Sequence, residues 1–170
     1  ATVPIPFGPA LKLEMPEIEQ FVRLDNLGNI LFRYKEAEHY EDNFFLADST
    51  VFEVFTHKFI YGNPDNSLTE PYSIVLTKKT AAKYFGDQNP VGEILITGGG
   101  QNYKITGVIE DLPGNSHLKF DALISISTDA ETYSTTKPSR FWRIGTYTFL
   151  LLNEQASIDD VFDKFPAFYD

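Results

Sequence analysis

The sequence predicts an α+β fold in two lobes, and three observations predict it. Residues 73–108 pass from a strand pattern to a helix pattern, through a turn, and back to a strand within one compact unit. The strongly apolar run at residues 146–152 arrives after a long insertion and is followed by an amphipathic helix. Hydrophobic residues make up 42% of the 170-residue chain, with 15 Phe and 9 Tyr, enough bulky material for a substantial core. The 146–152 strand is expected to return to the sheet of the first lobe.

Charge and composition exclude several roles. The formal net charge is -10, whereas nucleic-acid binding calls for a basic stripe. The same excess of acid opposes adsorption to anionic lipid heads. There are no cysteines, so disulfides and thiolate metal sites are excluded. No apolar run is long enough to span a bilayer as a helix. No signal peptide precedes Ala1, and the chain reads as a fragment cut from a longer protein.

Pro4, Pro6 and Pro9 with Gly8 predict an extended leading segment over residues 1–9. Residues 10–15 suit a short helix that Pro16 interrupts or restarts, with Ile18, Phe21 and Val22 at helical spacing. Residues 21–27 turn extended. Gly28-Asn29 then marks the turn of a β-hairpin to a strand at Ile30–Tyr34. Residues 35–43 read as charged and solvated, and Phe44–Ala47 as a core strand.

Asp48 or Ser49 is a candidate helix N-cap, and Glu53 stands where a capping-box partner of Thr50 would sit. Phe52 and Phe55 share a helix face, and Phe59–Tyr61 is a short strand stopped by Gly62-Asn63-Pro64. In the 73–108 unit, Thr77 caps a helix that runs through Phe85 and stops at Gly86. Residues 93–97 and 103–110 form strands around a glycine loop, and residues 120–126 another strand. Residues 127–139, rich in Ser and Thr, read as a mobile loop. Trp142 follows, and Ser157 caps a last helix with Ile158, Val161, Phe162 and Phe165 as its apolar stripe.

No residue pattern carries a reaction. Gly98-Gly99-Gly100 lacks the Lys-Ser/Thr and the helix of a phosphate loop, and reads as a hairpin tip. His39, His57 and His117 are scattered, and Asp48, Asp87 and Asp111 read as turn or cap residues. No Gly-x-Ser-x-Gly elbow supports a nucleophile. Tyr40, Tyr61, Tyr72, Tyr133 and Trp142 suit a ligand groove or a partner surface, but each by itself reads first as core or rim. The acidic segment 36–42 reads as a solvated face, and Asn115-Ser116-His117 as a self-bonded turn. Catalytic, cofactor-binding and metal residues are therefore expected to be none, and the contacting residues for a substrate or partner are left open.

An ordered set of motifs carries a resemblance. It begins with Pro16-Glu17-Ile18-Glu19 and Arg23, then Ala47-Asp48-Ser49, Phe52, Phe55 and Gly62-Asn63-Pro64. Leu68, Pro71, Ser73-Ile74-Val75-Leu76-Thr77, Tyr84-Phe85-Gly86 and Pro90-Val91-Gly92 follow. Thr106-Gly107-Val108-Ile109, Asp111-Leu112-Pro113, Asn115-Ser116-His117 and Phe120 complete it. In this order they resemble the MacB-like periplasmic core domain of FtsX-like ABC transporter permeases, in the Bacteroidetes-type version. The match covers nearly the whole chain and is weakest over residues 127–140.

The resemblance implies a porter-like α/β sandwich, residues 1–70 plus 141–170, with a smaller mixed αβ lobe, residues 71–140, inserted into it. It implies a non-catalytic domain at the periplasmic face of the bacterial inner membrane, coupling cytoplasmic ATP hydrolysis to extracytoplasmic movement. Export or mechanotransmission would be the outcome, with antimicrobial peptides, drugs or lipoproteins as candidate cargoes. No cofactor is implied here, since ATP is used by a separate cytoplasmic ATPase part. The implied partners are that ATPase, reached through transmembrane helices, a second permease copy, and periplasmic proteins. The isolated domain is expected to be a monomer. The alternative is a periplasmic ligand- or protein-binding module.

Overall fold

The computed structural model describes residues 2–134 and 144–166. The elements run in order β1 (Val3–Pro4), α1 (Phe7–Glu14), β2 (Ile18–Asn26), β3 (Ile30–Tyr34), β4 (Ala37–Glu41) and β5 (Phe44–Ala47). Then come α2 (Val51–Val54), β6 (Phe59–Tyr61), β7 (Ser73–Thr77), α3 (Lys78–Phe85), β8 (Ile94–Thr97) and β9 (Asn102–Ile109). The chain continues with β10 (Ala122–Ser125), a 3-10 turn (Ile126–Asp129), α4 (Ala130–Tyr133), β11 (Ile144–Leu152) and α5 (Ile158–Phe162).

The strands form one mixed sheet in the order β1-β11-β2-β5-β10-β7-β9-β8-β3-β4, with β6 pairing with β9 off this path. Among the described residues only β5–β10 and β7–β9 are parallel. β11 pairs with β2, as its apolar run predicts, and also with β1. The sheet runs across the expected lobe boundaries, since β10 lies between β5 and β7, and β3 pairs with β8.

The central strands are apolar on both sides because both faces are covered. Every residue of β5, β7 and β10 is buried. On one face Phe44, Leu46, Ile74, Leu76 and Ile124 pack with Ala81 and Tyr84 of α3. On the other, Val22, Leu24, Phe45, Val75 and Leu123 pack with Val51 of α2. A third cluster joins Leu11, Met15 and Ile18 to Val161 of α5.

The 73–108 unit folds as its local signals predict. Thr77 accepts the Thr80 N–H on its hydroxyl at the start of α3. Gly86 ends the helix at φ +63°, a conformation that favours glycine. Phe85 is half-buried rather than core and packs on the Tyr34 ring at 4.4 Å. Tyr84 takes the buried position beside it.

Several local expectations are corrected. The leading segment is not extended throughout, because α1 starts at Phe7 and takes Pro9 into its first turn, where a missing N–H costs nothing. Pro16 does not restart a helix. It holds Met15 extended, and Ile18, Phe21 and Val22 belong to β2.

Gly28-Asn29 is a turn, but β2 and β3 do not pair across it. Leu27 N–H donates to the Phe44 carbonyl (3.0 Å), so the β2–β5 ladder continues into the turn. The chain then crosses to the far side of the sheet. The hairpin is β3–β4, turning on Lys35 at φ +51°. Residues 37–41 are thus a strand, with Glu38 and Tyr40 on a solvated face and Glu41 buried.

No capping box forms at α2. Thr50 donates its hydroxyl to the Phe21 carbonyl, and the Asp48 carboxylate is engaged elsewhere. Residues 127–133 are helical, with Tyr133 buried, rather than a loop. Residues 135–139 and Trp142 lie outside the described residues. In α5 the Ser157–Asp160 capping box is present, but Ile158 and Phe162 are exposed and only Val161 is buried.

Candidate functional site

The structure disperses the residues from which a reaction centre would be assembled. His39 lies on β4 with its ring edge-on to Tyr84 at 5.2 Å. His57 sits among the rings of Phe52 and Phe120 at 6.0 and 5.6 Å. His117 faces Phe149 from the turn before β10. Asp111 accepts the Lys79 N–H at 2.8 Å and so serves the first turn of α3. Asp87 is exposed in the turn after α3. Among the described residues, no three His, Cys, Asp or Glu side chains stand together as metal ligands do.

Gly98-Gly99-Gly100 is the tip of the β8–β9 hairpin, where Gly100 N–H donates to the Thr97 carbonyl at 2.9 Å. It opens no helix. Ser116 closes its own turn by donating to the Leu118 carbonyl. Of the tyrosines, Tyr40, Tyr61 and Tyr72 are exposed and Tyr133 is core.

The most organised polar site is one that the residue spacing did not announce. Arg23 of β2 and Asp48, just beyond β5, are 5% and 8% exposed. Arg23 Nε donates to Asp48 Oδ2 at 2.9 Å and Nη2 to Oδ1 at 2.8 Å, a two-pronged match of planar groups. Arg23 N–H donates to the same Oδ2 at 2.7 Å. Nη1 donates to the Ile5 and Tyr133 carbonyls, each at 3.2 Å.

One guanidinium therefore ties the segment after β1, β2, the end of β5 and α4 together. Its ring neighbours are Phe21 and Tyr133, at 5.7 and 5.9 Å. Tyr133 in turn donates its hydroxyl to Asp25. The sequence signal was an arginine between two apolar residues, Val22 and Leu24, in a strand with buried neighbours. The arrangement holds no nucleophile and no water-activating base. It can fix geometry.

A second buried polar group links β4 to α3. Tyr84 donates its hydroxyl to Glu41 Oε1 at 2.6 Å, and Lys83 pairs with the same carboxylate. Burial, and then the neighbouring Glu41 carboxylate, push the Tyr84 hydroxyl far above the ordinary tyrosine range. His57 shows the opposite effect of burial: desolvation lowers its pKa. Its Nε2 is buried without a hydrogen-bond partner.

Two concave surfaces accompany these groups. A cleft of about 310 Å³ is lined by Thr77, Lys79, Asp111, Lys119 and Asp121. A groove of about 500 Å³ is lined by Phe45, Leu118, Tyr147 and Phe149, together with His117, Lys119 and Thr148. In the first, the Thr77 hydroxyl is engaged with Thr80 and the Asp111 carboxylate with the Lys79 N–H, and the second is mostly apolar.

No helix among the described residues is long and apolar enough to cross a membrane. No curated protein matches the chain. Its fold is similar to that of a domain of a putative permease protein from Porphyromonas gingivalis. The TM-score is 0.81 at 21% identity, over 98% of this chain and 70% of that one. It is also similar to the periplasmic region of MacB from Actinobacillus actinomycetemcomitans, with a TM-score of 0.71 at 16% identity, over 95% and 70% of the two chains. The extracellular domain of the noncanonic ABC-type transporter YknZ from Gram-positive bacteria gives 0.64 at 16% identity, over 95% and 78%. The family model of the MacB-like periplasmic core domain matches residues 2–168. By that match, which spans both polar clusters and every strand of the sheet, the chain belongs to the MacB-like periplasmic core domain family of ABC transporter permeases.

Proposed function

We propose that this domain is a non-catalytic extracytoplasmic part of a permease, which couples cytoplasmic ATP hydrolysis to movement outside the inner membrane. The observation that carries the reading is the family match over residues 2–168. The Arg23–Asp48 clamp supports it. A domain that transmits motion must move as a body, and a buried bidentate pair joining several elements resists internal shear. On this reading ATP is consumed by a separate ATPase, the domain itself uses no cofactor, and export or mechanotransmission is the output. A second permease copy and periplasmic proteins are its partners in the assembled transporter. The isolated domain is a monomer, because membrane helices and ATPase contacts bring the two copies together.

A second reading, a periplasmic ligand- or protein-binding module, is favoured by one observation, the apolar groove of Phe45, Leu118, Tyr147 and Phe149. The test is made on the full-length permease with its ATPase in proteoliposomes. Residues 2–168 are replaced by a flexible glycine-serine linker. Coupling predicts that ATP is still hydrolysed while the transport or signalling output is lost. Output that survives the replacement would overturn the coupling role.

A further inference from the structure

We infer that the outer edge of β4 is a docking site for an extended, basic segment of a partner protein, which adds to the sheet as a further strand. β4 ends the strand order, and β3 is its one strand partner among the described residues. The β3–β4 hairpin turns through two residues, Lys35 and Glu36, with Tyr34 opposite Ala37. A two-residue loop closes on a hydrogen-bonded pair, and such pairs alternate along an antiparallel ladder. Ala37, His39 and Glu41 therefore bond to β3. The N–H and C=O groups of Glu38 and Tyr40 point off the sheet, and no backbone partner meets them among the described residues.

Side-chain alternation gives this edge two faces. Ala37, His39 and Glu41 turn toward α3, where His39 meets the Tyr84 ring and Glu41 is held by Tyr84 and Lys83. Glu38 and Tyr40 turn to the opposite, exposed side, and Asp42, exposed just beyond β4, accepts a hydrogen bond from the Asn29 side chain. Tyr40 is 67% exposed, a large amphipathic side chain on an open edge. Glu36 and Glu38 hold no ion pair or side-chain hydrogen bond among the described residues. Arg33 stands opposite Glu38 in register, and Lys35 lies over the Tyr34 ring.

Charge decides the occupant. Two copies of this edge side by side would bring Glu36, Glu38 and Asp42 against their own kind, so self-pairing is disfavoured. A strand with Lys or Arg at alternate positions places its cations along Glu36 and Glu38 while its backbone satisfies Glu38 and Tyr40. The backbone bonds supply affinity and the charge alternation supplies selection. The inference is independent of the coupling role.

The test uses the 170-residue chain and a capped seven-residue peptide of alternating lysine and valine, read by amide hydrogen exchange in NMR. The Glu38 and Tyr40 amides are expected to slow about tenfold or more with excess peptide. A glutamate-valine peptide should leave them unchanged. Tyr40→Pro removes an N–H that the β3–β4 ladder does not use, so it should abolish the effect while Ala37, His39 and Glu41 stay protected. Should that variant not fold, Glu38→Lys serves in its place and should transfer the response to the glutamate-valine peptide. Unchanged Glu38 and Tyr40 exchange would overturn the proposal. So would equal response to both peptides, or protection that rises with protein concentration alone.

Discussion

Arg23 and Asp48 lie 25 positions apart in the sequence and meet as a bidentate ion pair away from water, at 2.8 and 2.9 Å. Two desolvated charges are tolerable only while both are present. Arg23→Met leaves the Asp48 carboxylate buried with only the Arg23-position backbone N–H as a partner. Asp48→Ala leaves the guanidinium with two carbonyl oxygens. Each single change is expected to destabilise the domain by about 3–5 kcal/mol in urea unfolding. The double variant Arg23→Met, Asp48→Ala should cost less than the sum of the two. Additive losses, or single losses under about 1 kcal/mol, would show that the pair does not act as a unit.

His57 makes the domain sensitive to mild acid. Desolvation holds its folded pKa below the ordinary value near 6.5. Between the two values the unfolded chain binds a proton that the folded chain does not. The stability that neutral His57 contributes is therefore present above about pH 6.5 and is lost as pH falls through the folded value. His57→Phe fits the ring cluster of Phe52 and Phe120 and removes this loss. The difference in unfolding free energy between His57→Phe and the parent should widen in favour of the variant from pH 7.5 to pH 5. A constant difference across that range would show that the buried imidazole does not titrate with folding.

Where the signals were local, the sequence was legible. Ser73–Thr77, the Thr77 cap, α3 and Gly86 are each decided by residues within a few positions, and the structure keeps all four. The β8–β9 hairpin is legible for the same reason. What depended on distant partners was not. Gly28-Asn29 signals a turn truly, but alternation in β3 cannot say that β8 and β4, rather than β2, will lie beside it. Arg23 reads as one charge in an apolar strand until β5 brings Asp48 to it. Asp48 likewise reads as a helix cap because its local context is that of a cap. The buried Arg23–Asp48 pair of the candidate site was not legible in the spacing of its residues.

Gly62, directly after β6, lies against the backbone of β9. Its φ is +90°, and an added Cβ would press on the Thr106 carbonyl oxygen and lie 2.8 Å from Gly107 Cα. Both atoms are backbone and cannot rotate away. Gly62→Ala is expected to cost about 1–3 kcal/mol. Gly114, whose Cβ would meet nothing within 4 Å, provides the control. Gly114→Ala should change stability by less than about 0.5 kcal/mol in the same denaturant series. Equal effects at the two positions would contradict the close β6–β9 approach.

Movement coupled to ATP is most directly tested by distance. The chain has no cysteine, so single cysteines at exposed Asp87 or Gly99 accept spin labels without background from this domain. In the full-length permease, reconstituted with its ATPase, label-to-label distances between the two copies are measured by pulsed electron resonance in the nucleotide-free and ATP-trapped states. ATP-coupled movement of a rigid domain predicts a distance distribution that shifts between the two states at both positions, while a pair placed at Asp87 and Gly99 within one copy stays fixed. Identical between-copy distributions in both states would contradict it.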